Sequence, residues 1–336
     1  MDERFFSRMS LIIINKCNQR CPYCFEGEWK DGHTQMMSLD DIRRLLEWKN
    51  WDDGKIPTVF LLGGEPTLHP KLLDILDIIT NYDQRIVKSV LTNLNCDVYL
   101  LKELIAKQVI LFANIDQFDE GNNVSGQQTI LRNLDFLNNV PITGFYYNVS
   151  ATVTHPDKDF SFLYDIIKKG KDKIYNLRLA SSCPGYRFGN EFQKDFSDDY
   201  MNKVYEVVRK CKEINPHLHL SSECPINGCM VSDELYQKLN EIGYQLRFQC
   251  GLPEPNADIC PDMHVHWCFA FEGIEDMTIR NVFDYPDYNS MIKALMNLAR
   301  QFNEKYKPIC DMGKCTRSMC YGPCPALNYY FRVIKR

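Results

Sequence analysis

The sequence predicts an α/β fold built on a parallel sheet, followed by a cysteine-rich extension. Two observations carry this expectation. Over the first two thirds of the chain, six β-rich runs each lead into a segment with helical apolar spacing, the alternation that builds parallel sheets. After about residue 215 that rhythm fails. From Cys250 onward the chain is rich in Cys, Pro and short turns, with helical spacing only over 281–306. Such a tail has too little apolar periodicity for a core of its own, so something else must hold it. The expected division is 1–215 for the sheet, 216–249 for a bridging segment and 250–336 for the extension.

The elements follow in order. MSLIIIN is the first strand, and SLDDIRRLLEWKN the first helix, with Ser38 at its N-cap. TVFLL (58–62) leads to HPKLLDILDIITNY, and RIVKSVLTN (85–93) to CDVYLLKELIAKQ. VILFANID (109–116) leads to GQQTILRNLDFLNN, and GFYYNVSATVT (144–154) to DFSFLYDIIKKG. KIYNLRLAS (173–181) leads, after a loop, to SDDYMNKVYEVVRKCKE. Six units can close partway into an open barrel or lie flat as a doubly wound sheet. In either case chemistry belongs at the C-terminal ends of the strands.

Composition narrows the function. The chain has 336 residues, 45% hydrophobic and 25% charged, with a net charge of −5. That balance disfavours nucleic acid and anionic membrane surfaces as partners. No apolar run approaches the ~20 residues of a membrane helix. The first ten residues lack the basic start and small-residue cleavage site of a signal peptide, so a cytoplasmic location is expected. Fifteen cysteines in a reducing compartment point to metal ligation rather than disulfides.

Cys17, Cys21 and Cys24 lie in one short loop directly after the first strand. Three thiolates on one loop can cap three irons of a cubane cluster and leave the fourth open. The second strand ends in LLGGEP, 61–66. There the glycines permit close backbone approach, and the carboxylate suits an ammonium group.

CxxxCxxC after the first strand, with Tyr23 just before the last cysteine and GGEP ending the second strand, resembles the radical S-adenosylmethionine superfamily. The resemblance implies a partial (β/α)6 TIM-like barrel with a C-terminal cysteine-rich, cluster-binding extension. It implies a 4Fe-4S cluster on Cys17, Cys21 and Cys24 whose open iron takes S-adenosyl-L-methionine. Tyr23, Gly63, Gly64, Glu65 and Pro66 would lie against that cofactor, with the GGE segment holding its amino group. ANIDQ resembles the fourth-strand segment of the family and would put Asn114 and Asp116 near the ribose, although both also suit plain strand-end caps. Ser125 stands where many relatives carry an arginine aimed at the cofactor carboxylate, a role left to Arg132 or Arg178. Thr92 and Asn93 resemble a pair common at the third strand's end and equally suit a turn.

The tail resembles the SPASM or shorter twitch extensions of this superfamily, with departures. CPDMHVHWC carries Met263 where glycine is usual. Cys310, Cys315, Cys320 and Cys324 run x4, x4, x3 in place of x2, x5, x3, and no cysteine follows Cys324. One auxiliary cluster is expected on Cys250, Cys268 and Cys324 with Cys224 or Cys229. A second is expected on Cys310, Cys315 and Cys320, completed by Cys260. A structural zinc site prefers CxxC knuckles, which the tail lacks. His264 and His266 are expected as surface or packing residues, Cys96, Cys183 and Cys211 as buried thiols, and Trp48 and Trp51 as helix-end packing.

The implied chemistry is reductive cleavage of the sulfonium to a 5′-deoxyadenosyl radical that abstracts hydrogen from substrate. An external flavodoxin- or ferredoxin-type donor would supply the electron. SPASM-type tails favour modification of a ribosomally made peptide, by crosslinking or epimerisation. A small metabolite or a protein side chain is the alternative substrate, and a non-catalytic iron–sulfur carrier or sensor the remote one. The sequence does not name the catalytic acid or base.

Overall fold

The computed structural model describes residues 6–21, 23–24, 34–49, 51, 54–115, 124–154, 159–181, 198–222, 231–246, 257–306, 324–330 and 333. Strands β1 (Phe6–Ile14), β2 (Ile56–Gly63), β3 (Val87–Thr92), β4 (Ile110–Asn114), β5 (Tyr147–Val153) and β6 (Ile174–Ser181) alternate with six helices. These are α1 (Leu39–Trp48), α2 (Leu72–Tyr82), α3 (Val98–Ala106), α4 (Val124–Asn138), α5 (Ser161–Lys169) and α6 (Asp198–Ile214). Local chemistry sets their starts. Ser38 and Asp41 form a reciprocal capping box on α1, and Asp97 caps α3.

Within 216–249, read from sequence as a bridge, the described residues supply β7 (His219–Ser222), α7 (Asp233–Glu241) and β8 (Tyr244–Gln245), and both strands join the same sheet. The short strands, of four and two residues, leave too little pattern to read from sequence.

From β1 to β8 the strands lie in chain order and pair in parallel. Right-handed crossovers in an unreversed order place every helix on one face. A doubly wound sheet must reverse its order, so the open-barrel alternative holds. On the inner face, side chains from strands two positions apart meet. Phe60 of β2 lies 6.1 Å from Phe112 of β4, ring to ring, and the Arg178 guanidinium of β6 stands 5.7 Å from the Phe112 ring. Val59, Leu61, Val90, Leu111 and Val149, on the outer face, are fully buried in the main core.

The extension is held by the barrel itself. β9 (Asp258–Ile259) pairs in parallel with β1, Ser10 to Asp258 and Leu11 to Ile259. β10 (Val265–His266) and β11 (Thr278–Ile279) add antiparallel strands outside it. Then α8 (Tyr288–Lys305) packs Met291, Leu295 and Phe302 into the same core, and α9 (Pro325–Tyr329) follows. Trp48 at the end of α1 packs edge-on to Phe283 and Tyr288 and donates its indole N–H to Tyr285 O at 3.0 Å. It therefore seals the barrel to the extension. No helix among the described residues is long and apolar enough to cross a membrane.

Candidate functional site

Three consecutive strand ends are fastened together at the C-terminal edge of the sheet. The chain leaving β1 carries Cys17, and the chain leaving β2 carries Gly63–Glu65. Gly64 N–H donates to Ile14 O at 3.0 Å and Glu65 N–H to Lys16 O at 2.9 Å. This contact requires glycine at 63. Its φ is +156°, and an added Cβ would stand 2.3 Å from the Ile14 carbonyl oxygen. The chain then returns to the end of β1, where Met37 N–H donates to Ile13 O at 2.9 Å and Asn15 N–H to Gln35 O at 3.2 Å. The base of the cysteine loop is thus pinned on both sides.

Glu65 joins β2 to β3. Its side chain is 1% exposed. Oε1 accepts from Thr67 N–H at 3.1 Å, Thr67 Oγ1 at 2.6 Å and Thr92 Oγ1 at 2.7 Å, and Oε2 accepts from Asn93 N–H at 2.7 Å. Burial pushes this carboxyl above its ordinary range, while the donors from Asn93, Thr67 and Thr92 pull the other way. Asn93 extends the chain of contacts. Its amide donates to Asn18 Oδ1 at 2.9 Å and lies 3.9 Å from Cys17 Sγ, and Asn18 donates to Asn95 O at 2.7 Å.

Glu65→Ala is expected to lower the midpoint of denaturant unfolding, equivalent to roughly 2–5 kcal/mol, because each buried donor left unpaired costs about 1–3 kcal/mol. Two of the donors, the Thr92 hydroxyl and Asn93 N–H, are buried. An unchanged midpoint would show that this network carries no stability.

Cys17, Cys21 and Cys24 are all half-buried, and none of the described cysteines is in a disulfide. Burial pushes the Cys17 thiol up to about 12, with Glu65, Cys21 and Cys24 adding to the rise and Gln19 N–H, 3.4 Å from the sulfur, opposing it. A thiol so placed ionises at neutral pH only against a strong positive charge such as bound iron. Three thiols that electrostatically sense one another and Glu65 are a donor set suited to iron.

The remaining expected residues divide. Tyr23 stands in the cysteine loop, and Pro66 is buried at the first position of the turn Pro66–Leu68 that Glu65 caps. Asn114 ends β4 with its side chain exposed. Arg178 is inside the barrel, its Nε donating to Ser150 Oγ at 3.0 Å, whereas Arg132 is exposed on α4. Asp116, Cys183, Cys224, Cys229, Cys250, Cys310, Cys315 and Cys320 lie outside the described residues. Cys324 is buried in the main core, and Cys268 is half-buried against it. Cys260 is buried beside Ile12 and Leu62, but its near neighbours are His264, His266 and Glu272. The two histidines are therefore not plain surface residues. Sequence reasoning missed Asn18, Gln19 and Thr67, and left Thr92 and Asn93 between two readings. Their one signal is position: each falls between or beside the motif residues.

Comparison with known proteins agrees with this geometry. Residues 11–167 match the radical SAM superfamily. The chain is 26% identical over 221 residues to the GTP 3′,8-cyclase of Alkaliphilus oremlandii (strain OhILAs), covering 63% of this chain and 66% of that protein. It spans 14% to 66% of the length of the first curated relatives it matches. In fold it is similar to Streptococcus suis SuiB bound to S-adenosylmethionine, with a TM-score of 0.69, 17% identity and coverage of 99% of this chain and 75% of that one. It is also similar to native anSMEcpe with bound AdoMet, with a TM-score of 0.63, 17% identity and coverage of 98% and 95%. Residues 11–167, the span that contains the three cysteines, the GGE strand end and the Thr92–Asn93 turn, match the radical SAM superfamily, whose members are enzymes that use a 4Fe-4S cluster and S-adenosylmethionine.

Proposed function

We propose that this chain is a radical S-adenosylmethionine enzyme that modifies a ribosomally made peptide, by crosslinking or epimerisation. The observation that carries the radical chemistry is the fastening of the Cys17 loop to the GGE strand end through Ile14 O and Lys16 O. Cys17, Cys21 and Cys24 would hold the cluster. Bound there, cluster and cofactor together supply reductive carbon–sulfur cleavage and a radical able to abstract hydrogen. The protein's own part is to hold and orient. Glu65 Oε1 is filled by three donors, whereas Oε2 takes only one among the described residues. Oε2 therefore keeps acceptor capacity for the cofactor's ammonium. Gly63 and Gly64 give that ammonium close access to backbone, and Tyr23, Pro66, Asn114 and Asp116 complete the cofactor's surroundings. Cys250, Cys268 and Cys324, with Cys224 or Cys229, would hold an auxiliary cluster.

The peptide reading is supported by fold likeness that runs through the extension as well as the barrel, to proteins crystallised with peptides: SuiB with precursor peptide SuiA, and anSMEcpe with the Cp18Cys peptide. The identity to a GTP 3′,8-cyclase over 63% of this chain favours a second reading, a nucleotide substrate. Anaerobic protein with dithionite and S-adenosylmethionine is expected to release 5′-deoxyadenosine. Peptides encoded beside this gene should raise that release and change in mass, and GTP should do neither. Consumption of GTP with matched 5′-deoxyadenosine would overturn the peptide reading, and no cleavage under any condition would overturn both.

A further inference from the structure

We propose that Cys260, His264, His266 and Glu272 are the four ligands of a single zinc ion, held apart from the iron–sulfur ligands. The hairpin at the barrel's edge builds this site. β9 ends at Ile259, so Cys260 is the first residue of the turn. Cys260 N–H donates to His264 O and Met263 N–H to Cys260 O, each at 2.9 Å. Met263 takes φ +70°, in the left-handed region where glycine is usual. β10 then returns antiparallel, and its i, i+2 spacing puts His264 and His266 on one side, rings 5.6 Å apart. The turn Phe269–Phe271 brings Glu272 back against both.

Four different donors converge. The ligand atoms all lie within 4.8 Å of one another. His266 Nε2 is 3.4 Å from Cys260 Sγ and 2.9 Å from Glu272 Oε2, and His264 Nε2 is 3.2 Å from the same oxygen. Zinc bonds of about 2.0–2.3 Å in a tetrahedron need donor separations of roughly 3.3–3.8 Å. The Cys260–His266, His266–Glu272 and His264–Glu272 separations stand within about half an ångström of that range.

The surroundings also point to a ligand. His266 is fully buried, and its Nδ1 has no hydrogen-bond partner among the described groups. Its other nitrogen, Nε2, faces Cys260 and Glu272 inside the cluster. His264 Nδ1 is held by Asp262 Oδ1, which leaves Nε2 aimed at Glu272. A carboxylate behind a ligating imidazole fixes its tautomer and raises its basicity. One thiolate and one carboxylate neutralise a divalent cation, as a buried site requires. A mixed S, N, N, O set suits zinc rather than calcium or magnesium, which take oxygen ligands. A cleft of about 550 Å³ lined by His264, Glu272, Glu275 and Asp276 gives the ion a path in. With all four positions filled by protein, the ion is structural: it locks the hairpin that covers the edge of β1.

The test is metal analysis of the full chain, purified anaerobically with its iron–sulfur clusters from zinc-supplemented medium. One zinc per chain is expected, and its X-ray absorption edge should report one sulfur and three nitrogen or oxygen neighbours. Cys260→Ser and Glu272→Gln should each lose the zinc while iron and sulfide stay at the wild-type ratio. Glu272 is partly exposed, so its variant should fold even if Cys260→Ser does not. Absence of stoichiometric zinc in the wild type, or a zinc shell without sulfur, would overturn the proposal. So would loss of iron instead of zinc in Cys260→Ser, which would return Cys260 to an iron–sulfur cluster.

Discussion

Gly63→Ala is expected to abolish S-adenosylmethionine cleavage and to destabilise the barrel. The added methyl carbon would meet the Ile14 carbonyl oxygen at 2.3 Å, well inside the ~3.5 Å of ordinary contact. Neither side of the clash can swing away. Ile14 is buried at the end of a paired strand, and its carbonyl already accepts the Gly64 N–H. Relief must come from backbone movement, for which overpacking costs about 1–3 kcal/mol. That movement parts the chain leaving β1 from the chain leaving β2, so it displaces the Cys17 loop from the GGE segment. A displacement of about 1 Å at a catalytic centre can cost about a hundredfold in rate. The measurements are 5′-deoxyadenosine release under dithionite and the unfolding midpoint. A variant with wild-type release would show that the close approach is not needed for the chemistry.

Replacing Cys17, Cys21 and Cys24 together with Ala should stop cleavage entirely and lower the iron content by about four atoms per chain, one cubane. The rest of the iron should remain, because the extension's cysteines are separate in sequence, with Cys324 buried in the core and Cys268 packed against it. Folding should survive. These thiols are only half-buried, and the loop's base is held by backbone bonds at Ile13, Ile14, Asn15 and Lys16 that no side chain makes. Cleavage at the wild-type rate in the triple variant would place the cofactor's cluster elsewhere.

Much of this architecture is legible in the sequence because its signals are local. Each strand–helix unit of the barrel carries its own periodicity, and Ser38 and Asp97 announce their helices through caps that act within three residues. The cysteine loop and the GGE strand end are likewise readable as contiguous motifs. What escapes is non-local or short. β7, β8, β9, β10 and β11 are of two to four residues, too brief for an alternation to register. Their pairing is decided by the partner strand. Thr92 and Asn93 look like turn residues until Glu65, far away in the chain, is seen to accept from both. His264 and His266 look like an alternating pair of surface or packing residues. Only the return of Glu272 and the turn at Met263 bring them to Cys260.

The pairing of β9 with β1 also bears on how the chain is made. β1 emerges from the ribosome before the strands that pair with it and soon finds β2 on one side. Its other side stays an open strand edge until Asp258 and Ile259 appear, on the order of tens of seconds later at ordinary synthesis speeds. Through that interval the nascent barrel exposes MSLIII, an apolar β-branched run of the kind that pairs with foreign strands. Closing the edge last, through a contact of very high sequence separation, makes barrel and extension one cooperative unit and folding slow. A truncation before residue 257 would therefore aggregate through β1 rather than leave a soluble barrel behind.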